Sequence, residues 1–301
     1  MLFGLFFQLL YNPPKNGWGL SMAIFSIILT AVLLNIFIMK IFYLKNKLRE
    51  TIKFIYNKKG CCKEFEKKIR EDDDFADKFN KYFTKVVQNY SFIYSSNLGK
   101  SYILENINLI SAMNSINLDT NRNYQVKMVP ADNSCGFHAF LMTFYEIMKK
   151  EEKYEKLFFN EKLFIDQINR KIYRFWYKKA LNIYNKHNRY EECTNIEIYT
   201  LIFYFRMVIS SILLKYKNNL IFDVGKDSFY EIFSYTFNTD EWLDQTCLMG
   251  LSFYFHIKIA FINVNFATEV PYSDIISCCD DADHTVGLIL KDNHWESLDI
   301  E

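Results

Sequence analysis

The stretch ADNSCGFHAF, residues 131–140, places a cysteine between a short polar turn and an apolar helix. After Cys135, apolar residues recur with the spacing of one helix face as far as Ile147. At a helix N-terminus the aligned peptide dipoles favour a thiolate and lower the thiol pKa. Asn133 tolerates the left-handed backbone that such a turn can require. The stretch therefore predicts a nucleophilic thiol, with turn N–H groups aimed at a developing oxyanion.

A second stretch, near residue 294, supplies the partners that a nucleophilic thiol needs. His294 opens a predicted strand after a turn at 291–293, and Glu296 follows two residues later, on the same face of the strand. His294 is then the general base, and Glu296 orients its imidazole, with Asn293 as an alternative orienting group. Spacing alone also leaves open that Cys135 is a small buried core residue.

The composition favours a folded and largely helical protein. Of its 301 residues, 50% are hydrophobic and 18% are aromatic, which excludes an intrinsically disordered chain. Only 9 Gly and 4 Pro disfavour a loop-rich sandwich or a glycine-rich phosphate loop. The 36 basic and 35 acidic residues nearly cancel, so no overall field indicates nucleic acid as a partner. Seven cysteines, two pairs of them adjacent, differ from the even spacing of a disulfide framework.

Residues 18–43 predict one transmembrane helix. The run MAIFSIILTAVLLNIFIM at 22–39 has no charge and is long enough to cross a hydrocarbon core of roughly 30 Å. Residues 40–59 contain seven Lys and Arg, whereas Lys15 alone precedes the run, so the positive-inside rule places the chain after residue 43 in the cytosol. A signal peptide and a buried core helix are the alternatives. We expect a single-pass protein in a lipid bilayer, with its N-terminus outside or lumenal.

The rest of the chain predicts helices followed by a small C-terminal β-sheet, which is the α+β pattern. Residues 1–43 form the N-terminal hydrophobic region, 44–64 a basic linker and 65–301 one domain. A capping box at 194–197 precedes an apolar run that we interpret as the central core helix, with a second membrane span as the alternative. The other predicted elements are a helix around Phe75–Val87, a loop at 95–125 with the apolar piece Ile103–Ile110, a helix from Thr239-Asp240 to about Tyr254, and strands at 256–264, 285–290 and 294–298.

Both chemical stretches resemble blocks of the ovarian-tumour (OTU) family of cysteine proteases. Residues 131–140 resemble its Asp-Gly-Asn-Cys-aromatic block, and residues 286–296 resemble the His-aromatic-Asp block that closes those domains. The branch that the chain resembles is otubain. Residues 70–94, 198–224 and 241–266 are similar to its upstream helix, its central helix and its helix-to-strand segment. The resemblance spans roughly residues 65–300.

This resemblance implies a papain-like OTU fold and a thiol isopeptidase that removes ubiquitin or cleaves polyubiquitin without a metal or cofactor. It implies that Asp132 supports an oxyanion loop formed by Asn133 and Ser134. The chain departs from the family where Asn133, Ser134 and Gly136 replace Gly, Asn and an aromatic residue, and where Glu296 replaces Asp. These departures leave a second function open, namely a catalytically inactive OTU-like domain that binds ubiquitin or another partner at a membrane.

The remaining cysteines predict little chemistry. Cys278, Cys279 and His284 offer a partial zinc set without paired Cys-x-x-Cys spacing. Cys61 and Cys62 follow the basic flank and are candidates for palmitoylation. Cys193 and Cys247 are interpreted as core thiols.

Overall fold

The computed structural model describes residues 61–93, 100–103, 116, 124–217, 229–238, 241–264, 272–278, 281–291 and 293–300. The chain divides into two compact units, Met1–Cys61 and Cys62–Glu301. The elements below belong to the second unit, apart from Cys61. The predicted transmembrane segment at 18–43 and most of the linker at 44–64 lie outside the described residues.

Helices make up more than half of the described residues. The Phe75–Val87 prediction is confirmed, since a helix runs through it and buries Phe79, Phe83 and Val87. The α-helices are α1 (Cys61–Glu71), α2 (Asp73–Ile93), α3 (Cys135–Lys150), α4 (Glu152–Phe158), α5 (Arg170–Lys186), α6 (Asn195–Tyr216), α7 (Phe229–Phe237) and α8 (Gln245–Phe255), and short 3-10 turns lie at Glu161–Leu163 and Tyr190–Glu192.

Helix α6 lies at the centre of the helical region. Every residue from Ile198 to Leu214 is buried, as expected of a helix that is apolar on all sides. It is the described helix that is long and apolar enough to cross a membrane, with a mean hydropathy of 1.6, yet 89% of that window is buried inside the protein. Thr194 and Glu197 form the predicted capping box. This burial supports the interpretation of α6 as a core helix.

The described strands form one six-stranded sheet in the order β1-β2-β6-β5-β3-β4. The strands are β1 (Ser101–Ile103), β2 (Gln125–Lys127), β3 (Lys258–Asn263), β4 (Tyr272–Ile276), β5 (Thr285–Lys291) and β6 (His294–Asp299). β3 and β5 are parallel, and the other neighbours are antiparallel. Helix α3 packs on one face of this sheet, and a cluster that includes Val126, Ile262, Ile289 and Leu298 covers the other. The α+β prediction is confirmed.

Three boundaries differ from the sequence predictions. The sheet is not purely C-terminal, because β1 lies within the region 95–125 predicted as a loop and β2 begins at its last residue; both are too short to show an alternating pattern. Helix α8 begins at Gln245 rather than after Asp240, because the Asp244 carboxylate accepts from the Cys247 N–H and caps it. β3 begins at Lys258, because His256 ends α8 in the left-handed conformation, with a φ of 53°.

Candidate active site

Cys135 is the first residue of α3, as the sequence predicts, and a tight turn delivers it there. The Asp132 side chain shapes this turn, because its Oδ1 accepts from the Ser134 N–H at 2.7 Å. The Asp132 carbonyl oxygen accepts from the Cys135 N–H at 3.1 Å. Both bonds use short polar groups that compete with helix and hold the backbone before the first helical turn. The thiol is free and buried.

His294 and Glu296 lie on the same face of β6, also as predicted. Glu296 is 5% exposed, and its Oε1 lies 4.0 Å from His294 Nε2. That distance suits an ion pair but is longer than a hydrogen bond. Catalytic hydrogen bonds are often long before substrate binds, so the spacing is compatible with an orienting carboxylate. Asn293 is exposed in the turn before β6 and has a φ of 62°, so its backbone fixes the hairpin.

The thiol of Cys135 lies against the strand that carries His294. The Trp295 N–H, in the peptide that follows His294, donates toward the Cys135 sulfur. Further along the same two elements, the Thr143 and Ser297 hydroxyls lie 2.6 Å apart and join α3 to β6. The structure therefore brings the predicted nucleophile to the strand of the predicted base. The roles of these residues stay a prediction.

Gly136 allows this close packing. A Cβ at this position would lie 2.8 Å from Leu243 Cβ and 3.1 Å from Trp295 Cδ1. Contacts that short do not occur between real side chains, and Leu243 Cβ is fixed to its own backbone. Gly136 replaces the aromatic residue of the OTU block because Leu243 and Trp295 occupy the space that a side chain would need.

The electrostatics of the thiol differ from the sequence prediction. Burial raises the pKa of the Cys135 thiol, and the nearby Asp132 charge raises it too. The N–H groups of Trp295, Gly136 and Cys135 itself lower the pKa, but they do not reverse its direction. The predicted lowering by the helix N-terminus is therefore wrong for this conformation, because desolvation of a thiolate outweighs the donors around it.

In the turn that is predicted to form the oxyanion loop, two backbone N–H groups are already engaged. The Ser134 N–H and the Cys135 N–H both donate to Asp132, and Asn133, itself exposed, offers its carbonyl oxygen to Arg206 Nη2 at 3.3 Å. An oxyanion that forms beside the thiol could accept a hydrogen bond from the Ser134 or Cys135 N–H only after the backbone of this turn changes conformation. The hydrogen bonds to Asp132 and Arg206 therefore hold this loop in its resting conformation.

Asp132 is the centre of a buried network that the sequence analysis recognised only in part. Burial alone would raise the pKa of Asp132, but His138, the Tyr199 hydroxyl and the Ser134 N–H hold it below its usual range. Tyr199 donates to Asp132 Oδ2 at 2.6 Å, and His138 Nε2 lies 3.5 Å from the same oxygen. The other ring nitrogen of His138 is 2.9 Å from the Tyr190 hydroxyl. Asp132 and His138 are close to each other in the sequence, and this closeness is the signal that could have identified the pair.

Arg206 is a residue of the site that sequence reasoning missed. It interrupts the apolar run of α6 and is 2% exposed. Its Nη2 donates to Asn133 and Ser134, and its Cζ lies 3.8 Å from the centre of the Phe137 ring. Burial lowers the pKa of the Arg206 guanidinium to about 10, so it stays charged at neutral pH. A single Arg inside an otherwise apolar helix is the signal in the sequence.

The other cysteines and histidines lie away from this constellation or outside the described residues. Cys193 and Cys247 are buried, as predicted for core thiols, and Cys278 is exposed. His284 pairs with Glu151, whereas Cys279, the third member of the partial zinc set, lies outside the described residues. Within the described ranges, no group of three or more His, Cys, Asp or Glu side chains could hold a metal ion.

Comparisons with known proteins give the following. No protein-family model matches the sequence, and no curated protein matches it significantly. The chain is similar to an h/ceOTUB1–ubiquitin aldehyde–UBCH5B~Ub complex at 11% identity and a TM-score of 0.47, over 74% of this chain and 97% of that one. It is similar to a ceOTUB1–ubiquitin aldehyde–UBC13~Ub complex at 11% identity and a TM-score of 0.49, over 72% and 98%. It is likewise similar to an h/ceOTUB1–ubiquitin aldehyde–UBC13~Ub complex at 11% identity and a TM-score of 0.49, over 76% and 98%, so these solved otubain complexes are structures that the chain resembles.

Proposed function

We propose that this chain is a cysteine isopeptidase that removes ubiquitin from conjugates or cleaves ubiquitin chains. The observation that carries the proposal is the position of the Cys135 thiol at the start of α3, against the peptide that joins His294 to Trp295. Glu296 lies next to His294 on the same face. A thiol, an imidazole and a carboxylate in this order form the unit that thiol proteases use. Ubiquitin as the substrate rests on the resemblance of residues 131–140 and 286–296 to the OTU blocks.

The reaction follows from the positions of these groups. Glu296 faces Nε2 of His294, which leaves Nδ1 to accept the thiol proton. The thiolate of Cys135 then attacks the carbonyl carbon of the isopeptide bond, and the carbonyl oxygen takes the negative charge. Protonated His294 gives its proton to the departing lysine amine as the C–N bond breaks. Water, deprotonated by His294, hydrolyses the thioester and releases the ubiquitin carboxylate together with the free thiol.

The first step requires two changes from the resting conformation. The pKa of the thiol is raised by burial, so the proton leaves Cys135 only when His294 is close enough to take it. The Cys135 N–H must also turn from the Asp132 carbonyl towards the oxyanion. We expect substrate binding to drive both changes.

A ubiquitin propargylamide probe tests the proposal, since only a competent thiol is trapped. The full-length chain, purified in a mild detergent, should form a covalent adduct with the probe at Cys135. Peptide mapping by mass spectrometry identifies the labelled cysteine. Absence of any adduct, in a sample that binds ubiquitin, would reject the isopeptidase.

A catalytically inactive ubiquitin- or partner-binding domain is the second candidate function. The observations that favour it are the raised thiol pKa and the engagement of the Ser134 and Cys135 N–H groups by Asp132. In that case the chain binds ubiquitin but forms no covalent adduct with the propargylamide probe. Titration with ubiquitin alongside the probe experiment separates the two functions.

We also propose that residues 18–43 anchor this domain to a membrane, with the domain in the cytosol. The proposal rests on the uncharged run at 22–39 and on the excess of Lys and Arg that follows it. An Asn-x-Thr acceptor introduced between residues 95 and 120 should stay unglycosylated in microsomes. Glycosylation there would place the domain in the lumen, away from cytosolic ubiquitin conjugates.

A further inference from the structure

Arg206 carries a buried positive charge at the centre of the helical region. Its side chain donates only to neutral oxygens in the described contacts, namely to carbonyl groups and one hydroxyl. Replacing such a charge in an apolar helix with a hydrophobic residue would avoid a large desolvation cost. A buried arginine that bonds to the turn before the candidate nucleophile therefore suggests a positional role.

One nitrogen of the Arg206 guanidinium, Nη2, fixes the peptide between Asn133 and Ser134, in the turn before Cys135. Arg206 Nη2 donates to the Asn133 carbonyl at 3.3 Å, and the Ser134 N–H of the same peptide donates to Asp132 Oδ1 at 2.7 Å. In a planar trans peptide these two groups point in opposite directions. Arg206 and Asp132 therefore hold the same peptide plane from its two sides. Arg206 Nη2 also donates to Ser134 Oγ at 3.0 Å, which fixes the N-cap residue of α3.

The other guanidinium nitrogen, Nη1, holds the chain close to Leu243, which packs against the residue after the nucleophile. Arg206 Nη1 donates to the carbonyl oxygens of Tyr235, near the end of α7, and of Glu241, each at 3.0 Å. A third bond reaches the Asn238 carbonyl at 3.4 Å. Two residues after Glu241, Leu243 packs against Gly136. A single side chain thus joins the turn before Cys135 to the segment that covers the residue after it.

We propose that Arg206 is a positioning residue, which fixes the turn at Asp132–Cys135 relative to residues 241–243 and so sets the direction of the Cys135 thiol. The proposal rests on the isopeptidase function proposed above. Arg206 acts through the turn and does not touch the reacting atoms. Its loss should lower the rate of the chemical step and leave ubiquitin affinity unchanged, because ubiquitin does not contact a side chain that is 2% exposed.

Arg206→Lys tests this role, because lysine keeps the charge but lacks the planar fork that reaches both segments. Capture of the full-length chain by ubiquitin propargylamide gives kinact and KI. We expect kinact to fall by about 10²-fold, as for a nucleophile displaced by ~1 Å, with KI changed less than about 3-fold. Ser210→Ala is the matched control, because Ser210 joins the same helix to α7 through Thr236 without contacting the turn. It should leave both constants unchanged.

Hydrogen exchange of the same proteins separates this proposal from the proposed function. In Arg206→Lys, peptides covering 131–137 and 241–244 should exchange faster together, and in Ser210→Ala they should not. If the unmodified chain is never captured by the probe but Arg206→Lys shows the paired increase, the isopeptidase fails and the positioning role stands. Unchanged exchange, or capture as fast as or faster than that of the unmodified chain, would overturn the positioning role.

If Arg206→Lys fails to fold, a second variant tests the same proposal. Ser134→Ala removes one acceptor and keeps the guanidinium and its other bonds. Loss of one hydrogen bond should reduce kinact by roughly 3–10-fold and raise exchange in 131–137. A Ser134→Ala protein with unchanged kinact and unchanged exchange would overturn the proposal in that case.

Discussion

The Tyr199 hydroxyl donates to Asp132 Oδ2 over 2.6 Å, which ties the turn before Cys135 to the core helix α6. Tyr199 and Arg206 both project from α6, and each holds a different part of the same turn. The geometry of the candidate nucleophile therefore depends on the helical core as well as on the strand that carries His294.

Cys135→Ala should abolish capture by ubiquitin propargylamide and leave ubiquitin binding intact, since the thiol performs the chemistry and contributes little packing. Cys278→Ala is the control, because that thiol is exposed and lies outside the candidate site. It should be captured at the rate of the unmodified chain. Capture that persists in Cys135→Ala would move the nucleophile elsewhere.

Glu296→Gln keeps the shape of the side chain but removes the charge that stabilises the His294 imidazolium. We expect kcat/KM on a ubiquitin conjugate to fall by about 10²–10⁴-fold. Glu296→Asp should retain activity, because it restores the carboxylate that the OTU block carries at this position. If Glu296→Ala matched the unmodified chain while Asn293→Ala was inactive, Asn293 would be the orienting residue.

Gly136→Ala should destabilise the protein by about 1–3 kcal/mol and slow probe capture, because the new methyl group would overlap Leu243 Cβ. Gly250→Ala is the matched control. Its methyl group would meet the flexible end of Leu213, at 2.9 Å from Cδ2, so it should be nearly neutral. Urea denaturation reports the stabilities, and equal effects of the two glycine substitutions would contradict this account.

Asn80→Ala should cost about 1–3 kcal/mol of folding free energy. The Asn80 Oδ1 accepts from the indole N–H of Trp176, a fully buried side chain, at 3.0 Å, so the substitution leaves a buried donor without that acceptor. Asp77→Ala is the control on the same helix, because its pair with Lys171 is exposed. That substitution should change the urea midpoint little.

The lowered pKa of Glu197 should make the folding free energy sensitive to acid. Partial burial would raise its pKa, but Lys186, the N–H and hydroxyl of Thr194, and His187 lower the pKa to about 2. A carboxyl group with a folded-state pKa below its unfolded value stabilises the fold above the unfolded pKa. That contribution, roughly 1–3 kcal/mol, should disappear as the pH falls from about 4.5 to about 2.

The measurement is the unfolding free energy of Glu197→Gln as a function of pH. The variant should be less stable than the unmodified chain at pH 7, and the difference should vanish at acid pH. Glu152→Gln, in an exposed ion pair with Lys156, should show no such dependence. A pH-independent difference for Glu197→Gln would contradict the pKa argument.

Local patterns in the sequence predicted the parts of this structure that local patterns determine. The helix that begins at Cys135 and the capping box at Thr194 follow from periodicity and from side chains within one turn. The three-residue strands β1 and β2 were missed because they are too short to show periodicity and depend on pairing with distant residues: β2 pairs with β6, and β1 pairs with β2. The role of Arg206 was missed for a related reason. Its acceptors come from residues 29 to 73 positions away in the chain.

The position of β6 in the sheet links chemistry to the order of assembly. The strand that carries His294 and Glu296 lies between β2, which precedes Cys135 in the chain, and β5, which follows it. A folding intermediate in which β6 has not yet inserted would split the sheet in two and would separate the thiol from the imidazole. In a nascent or partly unfolded chain the Cys135 thiol would therefore have no imidazole beside it, and the pairing of the two groups would form only when β6 completes the sheet.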